Sequence, residues 1–160
     1  MLFPTATGYK VETRILSGLR FELGERLERV PAPDENAFHF YSIYREQTPL
    51  GTVLTRRIKG EHGAIELVLA TDLERRVSGL DFQRLREPES IVHALENTGW
   101  RQSFVGRRAD SQWKLGGDIR DVPPEARASA EAVLEGARSL LILLDTADRA
   151  QVTRKAEEHH

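Results

Sequence analysis

The side chains able to do acid, base or ligand chemistry are few in this chain and widely spaced. His39, His62 and His93 fall in segments that read as a strand, a turn and a helix, and none has the close partner that a helical zinc site requires. His159-His160 is a terminal pair with no further ligand beside it, so no metal site is expected. Cysteine is absent, which removes disulfides, thiolate ligands and cysteine nucleophiles while leaving the redox compartment open. There is no Gly-x-Ser-x-Gly elbow, Walker loop or dinucleotide fingerprint, and catalytic residues stay unassigned.

Arginine is the more suggestive residue. Arg75, Arg76, Arg84, Arg86, Arg101, Arg107 and Arg108 gather around one segment, and a guanidinium suits bidentate binding of phosphate or carboxylate. Asp81, Glu87, Glu89 and Glu96 are interspersed, however, so ordinary surface pairing on a solvated face is the expected role of the group.

The elements that must position these residues follow from periodicity. Leu16, Leu19, Leu23, Leu27 and Val30 recur at helical spacing and predict an amphipathic helix, opened near Ser17 and closed before Pro31. Phe38–Arg45, Leu50–Lys59, Ala64–Thr71 and Val77–Leu85 are rich in aromatic, β-branched or apolar residues and are punctuated by turn residues. They predict an antiparallel meander of about four strands or more. A short helix is expected over Ser90 to Asn97, then a looser stretch anchored by Trp100, Phe104 and Trp113. Pro123-Pro124-Glu125 opens a last helix whose stripe runs through Ala126, Ala130, Val133, Ala137, Leu140 and Leu144. The fold class is therefore α+β, with helices packed on an antiparallel sheet. Ile65, Leu67, Val68, Leu69, Val133, Leu140 and Leu141 are its expected core.

At 160 residues the chain has the size of one domain, expected over 1–150, with a disordered polar tail over 151–160. A net charge of −2 provides no positive field for nucleic acid. No apolar run approaches the roughly 20 residues needed to cross a bilayer, and Met1-Leu2-Phe3-Pro4 lacks the charged and apolar regions of an export signal. Oligomeric state is not legible.

Three short motifs occur in a meaningful order: Lys59-Gly60-Glu61-His62-Gly63 ahead of an apolar strand, Trp100 to Gly106 after the short helix, and Asp118-Ile119. From roughly Phe38 to Leu144 the chain resembles the FMN-binding domain of the Rnf and Nqr electron-transport subunits, as a divergent member. The resemblance implies a flavin module, with a redox-complex protein as partner and an extracytoplasmic or membrane-associated location. In that family FMN is commonly joined through its phosphate to a threonine in a Ser/Thr-Gly-Ala-Thr signature. Here Pro124-Glu125-Ala126-Arg127 stands in its place, so covalent flavin is not expected.

Non-covalent FMN would use Arg127 for the phosphate, Gly116-Gly117 for close backbone approach and Trp100 or Trp113 as an aromatic wall. His62 would contact a flavin edge beside Gly60 and Gly63. Arg86 and Glu87 stand where the family carries a further glycine-rich segment, of which only Glu87-Pro88 remains. The alternative is a module that keeps the fold, holds no flavin and contacts a protein partner.

Overall fold

The computed structural model describes residues 2–158, with side chains to position 150. Five strands form one antiparallel sheet in the order of the chain: β1 (Gly8–Ile15), β2 (Ala37–Arg45), β3 (Thr48–Lys59), β4 (Ala64–Thr71) and β5 (Val77–Leu85). The expected α+β meander is thus present, with β1 added at one edge. Helix α1 (Arg20–Leu27) lies in the β1–β2 connection, α2 (Glu89–Leu95) and α3 (Thr98–Gln102) follow β5, and α4 (Arg127–Glu158) closes the fold.

The side-chain period of two divides the sheet into unlike faces. Phe40, Leu54 and Leu69 are neighbours across β2, β3 and β4 on the inner face, and Ile65 and Leu67 continue the same face along β4. This face is buried against Leu23 and Leu27 of α1 and against Ala130, Val133, Ala137, Leu140, Leu141 and Leu144 of α4. The small residues early in the α4 stripe let its backbone come close to the strands. On the outer face Tyr41 pairs with Val53, and Thr55 with Val68. The chain start reaches this face at one end, where Leu2 packs on Gly79 and Phe3 on Gly51.

Two expectations need correction. Val68 is only half-buried, because it points to the outer face while Leu67 and Leu69 point inward. The first helix is shorter than its stripe implies. A 3-10 turn covers Ser17–Leu19, and α1 stops at Leu27 because Glu28 takes a left-handed conformation, with φ 61°, and its N–H bonds back to Gly24. Val30 therefore leaves the apolar face and is 82% exposed. At the other end, α4 runs past the boundary placed at 151, while residues 159–160 lie outside the described residues.

Candidate functional site

The residues nominated from sequence fall in two places. The first is the β3–β4 turn. Gly60 N–H donates to Gly63 O at 2.8 Å, which curls the turn so that its next two N–H groups face one point. Glu61 N–H donates to Ser129 Oγ at 3.0 Å, and His62 N–H reaches both carboxylate oxygens of Glu87 at 3.3 Å. Ser129 Oγ–H in turn donates to Glu87 Oε1 at 2.9 Å. Glycine is required here by close approach: a Cβ on Gly60 would lie 1.9 Å from Glu87 Oε1, and one on Gly63 would lie 2.2 Å from Arg86 O. Gly60, His62, Gly63, Arg86 and Glu87 are thus brought together, as a clasp between the turn, the end of β5 and the first turn of α4.

The clasp resembles an anion cradle, made of backbone N–H groups and a hydroxyl, that is already filled by the chain's own carboxylate. Ser129 is fully buried and its hydroxyl both donates and accepts, so no nucleophile is presented. The His62 ring is half exposed and, among the described residues, pairs only with Glu61, at 3.7 Å. As a serine early in the last helix, Ser129 carries no signal in the sequence. Its role depends on a partner 68 positions earlier in the chain, which no local pattern signals.

The second place lies beyond α2. Trp100 is buried, with its ring edge-on to Phe104 at 5.0 Å between centroids, and Phe104 continues to Trp113 at 6.0 Å. The Trp100 indole N–H has no hydrogen-bond partner among the described residues. Gly116, at φ 84°, and Gly117 shape a tight turn closed by the Gly116 N–H to Ile119 O bond of 2.7 Å. Arg127 sits nearby but is exposed, and it is engaged by Asp121 at 3.2 Å and Glu131 at 3.8 Å.

Trp100 and Asp121 border a cleft of about 820 Å³ between α2 and the segment leading to α4. Glu89, Glu96 and Glu125 also border it, against Arg120 as the only arginine, so its field is negative. These residues do not fit FMN as a set. A phosphate at the turn would have to displace Glu87, and a phosphate in the cleft would meet carboxylates, one of which, Asp121, already pairs with Arg127. Three of the seven arginines in the group are paired with carboxylates: Arg75 with Asp148 at 2.8 Å, Arg76 with Asp72 at 2.9 Å and Arg101 with Asp81 at 3.7 Å, and Arg107 donates to the backbone O of Asp118. Among the described residues no group of His, Asp and Glu could hold a metal ion, and no helix is long and apolar enough to cross a membrane.

Perturbed acidity occurs elsewhere, at Glu35, whose side chain is 1% exposed. Burial raises the pKa of this carboxyl, but the hydrogen bonds from Arg29, the Ala32 N–H and Arg56 outweigh it and hold the value at about 2. Arg29 donates at 2.6 and 2.9 Å, Ala32 N–H at 2.7 Å and Arg56 at 2.9 Å. Every oxygen is satisfied, and Arg29 also reaches Ser139 of α4 at 3.2 Å. The cluster ties the α1–β2 connection to β3 and α4; it presents no free group to a substrate.

The outer face of the sheet is the third region, and sequence reasoning passed over it. Tyr9, Tyr41, Ile43, Val53 and Val68 meet there around a shallow depression of about 390 Å³. The Tyr9 and Tyr41 rings stand edge to face at 5.6 Å, and Tyr9 is 69% exposed. The signal was the alternation of Tyr9, Val11 and Thr13 with Lys10, Glu12 and Arg14, a period of two that marks a strand. No protein-family model matches the chain, and a search of curated proteins finds no match.

Proposed function

We propose that this chain is a flavin-free binding module that docks a protein partner on the outer face of its sheet. The observation that carries this reading is the row formed by the exposed Tyr9 and Tyr41, the half-buried Val53 and Val68 and the buried Ile43, which has the helices on the opposite face. Contiguous apolar surface of this kind costs free energy in water and is characteristic of interaction sites, where aromatic anchors supply much of the binding. The clasp and the Glu35 cluster support the same choice, because their donors and acceptors are spent within the chain.

A benzophenone side chain placed at position 68 tests it. Irradiation in cells should yield a discrete protein adduct, and Val53→Asp in the same chain should abolish it. Absence of an adduct, or persistence through that substitution, overturns the reading. The flavin-bound electron-transfer module implied by the sequence resemblance is the competing outcome. Trp100 and Trp113 report on it, since FMN bound beside either ring would quench tryptophan fluorescence. Titration of FMN should leave the emission unchanged apart from inner-filter loss. Saturable quenching would move the reading to the cleft beside Trp100.

A further inference from the structure

We infer that the open edge of β1 pairs with β1 of a second copy of this chain, antiparallel and centred on Thr13, to make one continuous sheet. The inference concerns the edge of the sheet and goes beyond the outer-face reading. β1 is the first strand of the sheet and, among the described residues, pairs only with β2. The Leu16 N–H donates to Asn36 O, directly opposite in the continued β1–β2 register, which puts this position in phase with the narrow, hydrogen-bonded pairs, although the Asn36 N–H itself turns back to Pro33 O. Narrow pairs alternate along an antiparallel ladder. Lys10, Glu12 and Arg14 therefore spend their N–H and C=O groups on β2, whereas Tyr9, Val11, Thr13 and Ile15 turn theirs to the edge, where the Thr13 C=O accepts from the Arg14 guanidinium at 3.0 Å and pairing would replace that bond.

That edge carries apolar side chains that water solvates poorly: Val11 is 53% and Ile15 67% exposed. Exposed edges are ordinarily guarded by charges that make pairing unfavourable. Here the charges select a register instead. Two-fold antiparallel pairing that keeps the two faces of the sheet continuous allows a centre at Val11, Glu12 or Thr13. A centre at Glu12 sets Glu12 against its own copy and Lys10 against Arg14, which opposes like charges throughout. A centre at Thr13 sets Glu12 against Arg14 twice, in the wide pairs where side chains approach most closely. It also sets Val11 against Ile15 twice and covers four exposed apolar side chains. A centre at Val11 pairs Lys10 with Glu12 but leaves Ile15 uncovered. Within one chain Arg14 already reaches Glu12 at 3.3 Å, so the pair across the axis extends an ionic row that exists in the monomer.

A single strand pair is a small interface, so the dimer should be concentration-dependent. Sedimentation-velocity analysis of the intact protein, from low to several hundred micromolar, should show a reversible monomer–dimer equilibrium. Glu12→Arg and Arg14→Glu should each sediment as monomer over that range, since each places like charges opposite one another. An equimolar mixture of the two variants should recover the dimer, because arginines of one face glutamates of the other, and the double variant E12R/R14E should recover it alone. Lys10→Glu should leave the dimer intact. A wild-type monomer throughout, or loss of the dimer with Lys10→Glu but not Arg14→Glu, overturns the inference. If the wild type stays monomeric while position 68 still yields its adduct, the inference fails and the proposed function stands. If the charge variants behave as expected with no adduct at 68, the reverse holds.

Discussion

Glu35 and Glu87 both hold remote segments against the core, by opposite means. Glu35 is taken fully out of water and compensated by two guanidinium groups and a backbone N–H. Glu87 is half-buried and is held by a serine hydroxyl and the His62 N–H, with no cation paired to it among the described residues. A charge moved into the interior requires opposite charge, while one at the boundary is held adequately by oriented dipoles and water. The difference teaches that a strongly shifted carboxyl need not mark reactivity. In this fold it marks the junction between the α1–β2 connection, β3 and α4.

Substitutions at the two carboxylate sites separate the two mechanisms. Glu35→Ala should be the most damaging change, costing about 3–5 kcal/mol in chemical denaturation, because Arg29 and Arg56 lose the charge they surround. A cost below about 1 kcal/mol would mean that the arginines reach water freely.

The acid response sharpens the same point. The folded pKa of Glu35 is lowered from 4.5 to about 2, so its contribution is fully present above 4.5 and is lost as pH falls through 2. Roughly 3 kcal/mol of stability should disappear across that window. Glu35→Gln should flatten this part of the stability-versus-pH curve, measured by urea denaturation at each pH. An unchanged slope would assign acid unfolding to other carboxyls.

At the clasp the effect should be smaller. Ser129→Ala removes the acceptor of Glu61 N–H and one donor to Glu87, and should cost about 1–2 kcal/mol. Its amide signature is faster hydrogen exchange at Glu61, without change in the centre of β4. Arg127→Ala should be the mildest, within about 0.5 kcal/mol, because both of its partners are solvated surface acids. A large loss would show that the Asp121 pair anchors the segment entering α4.

Most of the sheet was legible because β2 to β5 combine β-branched and aromatic residues with clear turns, and their observed bounds differ from expectation by at most two residues. β1 was missed because Lys10, Glu12 and Arg14 lower its apolar content, although its alternation was present. The glycine turn was located correctly, since Gly60 and Gly63 sit where close packing demands them. Its partner Ser129 was not, because a helix residue joined to a turn across the fold leaves no periodic trace. Glu35 stood within Pro31-Ala32-Pro33-Asp34-Glu35, which reads as a solvated loop; burial of an acid depends on arginines that only the folded sheet brings to it. Nothing in the stretch around Arg127 distinguished an arginine held by Asp121 from one free to bind phosphate.

The placement of α4 after every strand has a consequence for synthesis. During translation the meander can pair strand by strand from neighbouring segments, so the whole sheet is available before the helix that covers it has been made. Until Val133 to Leu144 emerge, Leu54, Ile65, Leu67 and Leu69 are as bare as Tyr41 and Val53 on the other side, and the nascent sheet is apolar on both faces. A stop codon anywhere between β5 and the middle of α4 should therefore yield aggregate and chaperone-bound chains, not a smaller soluble domain.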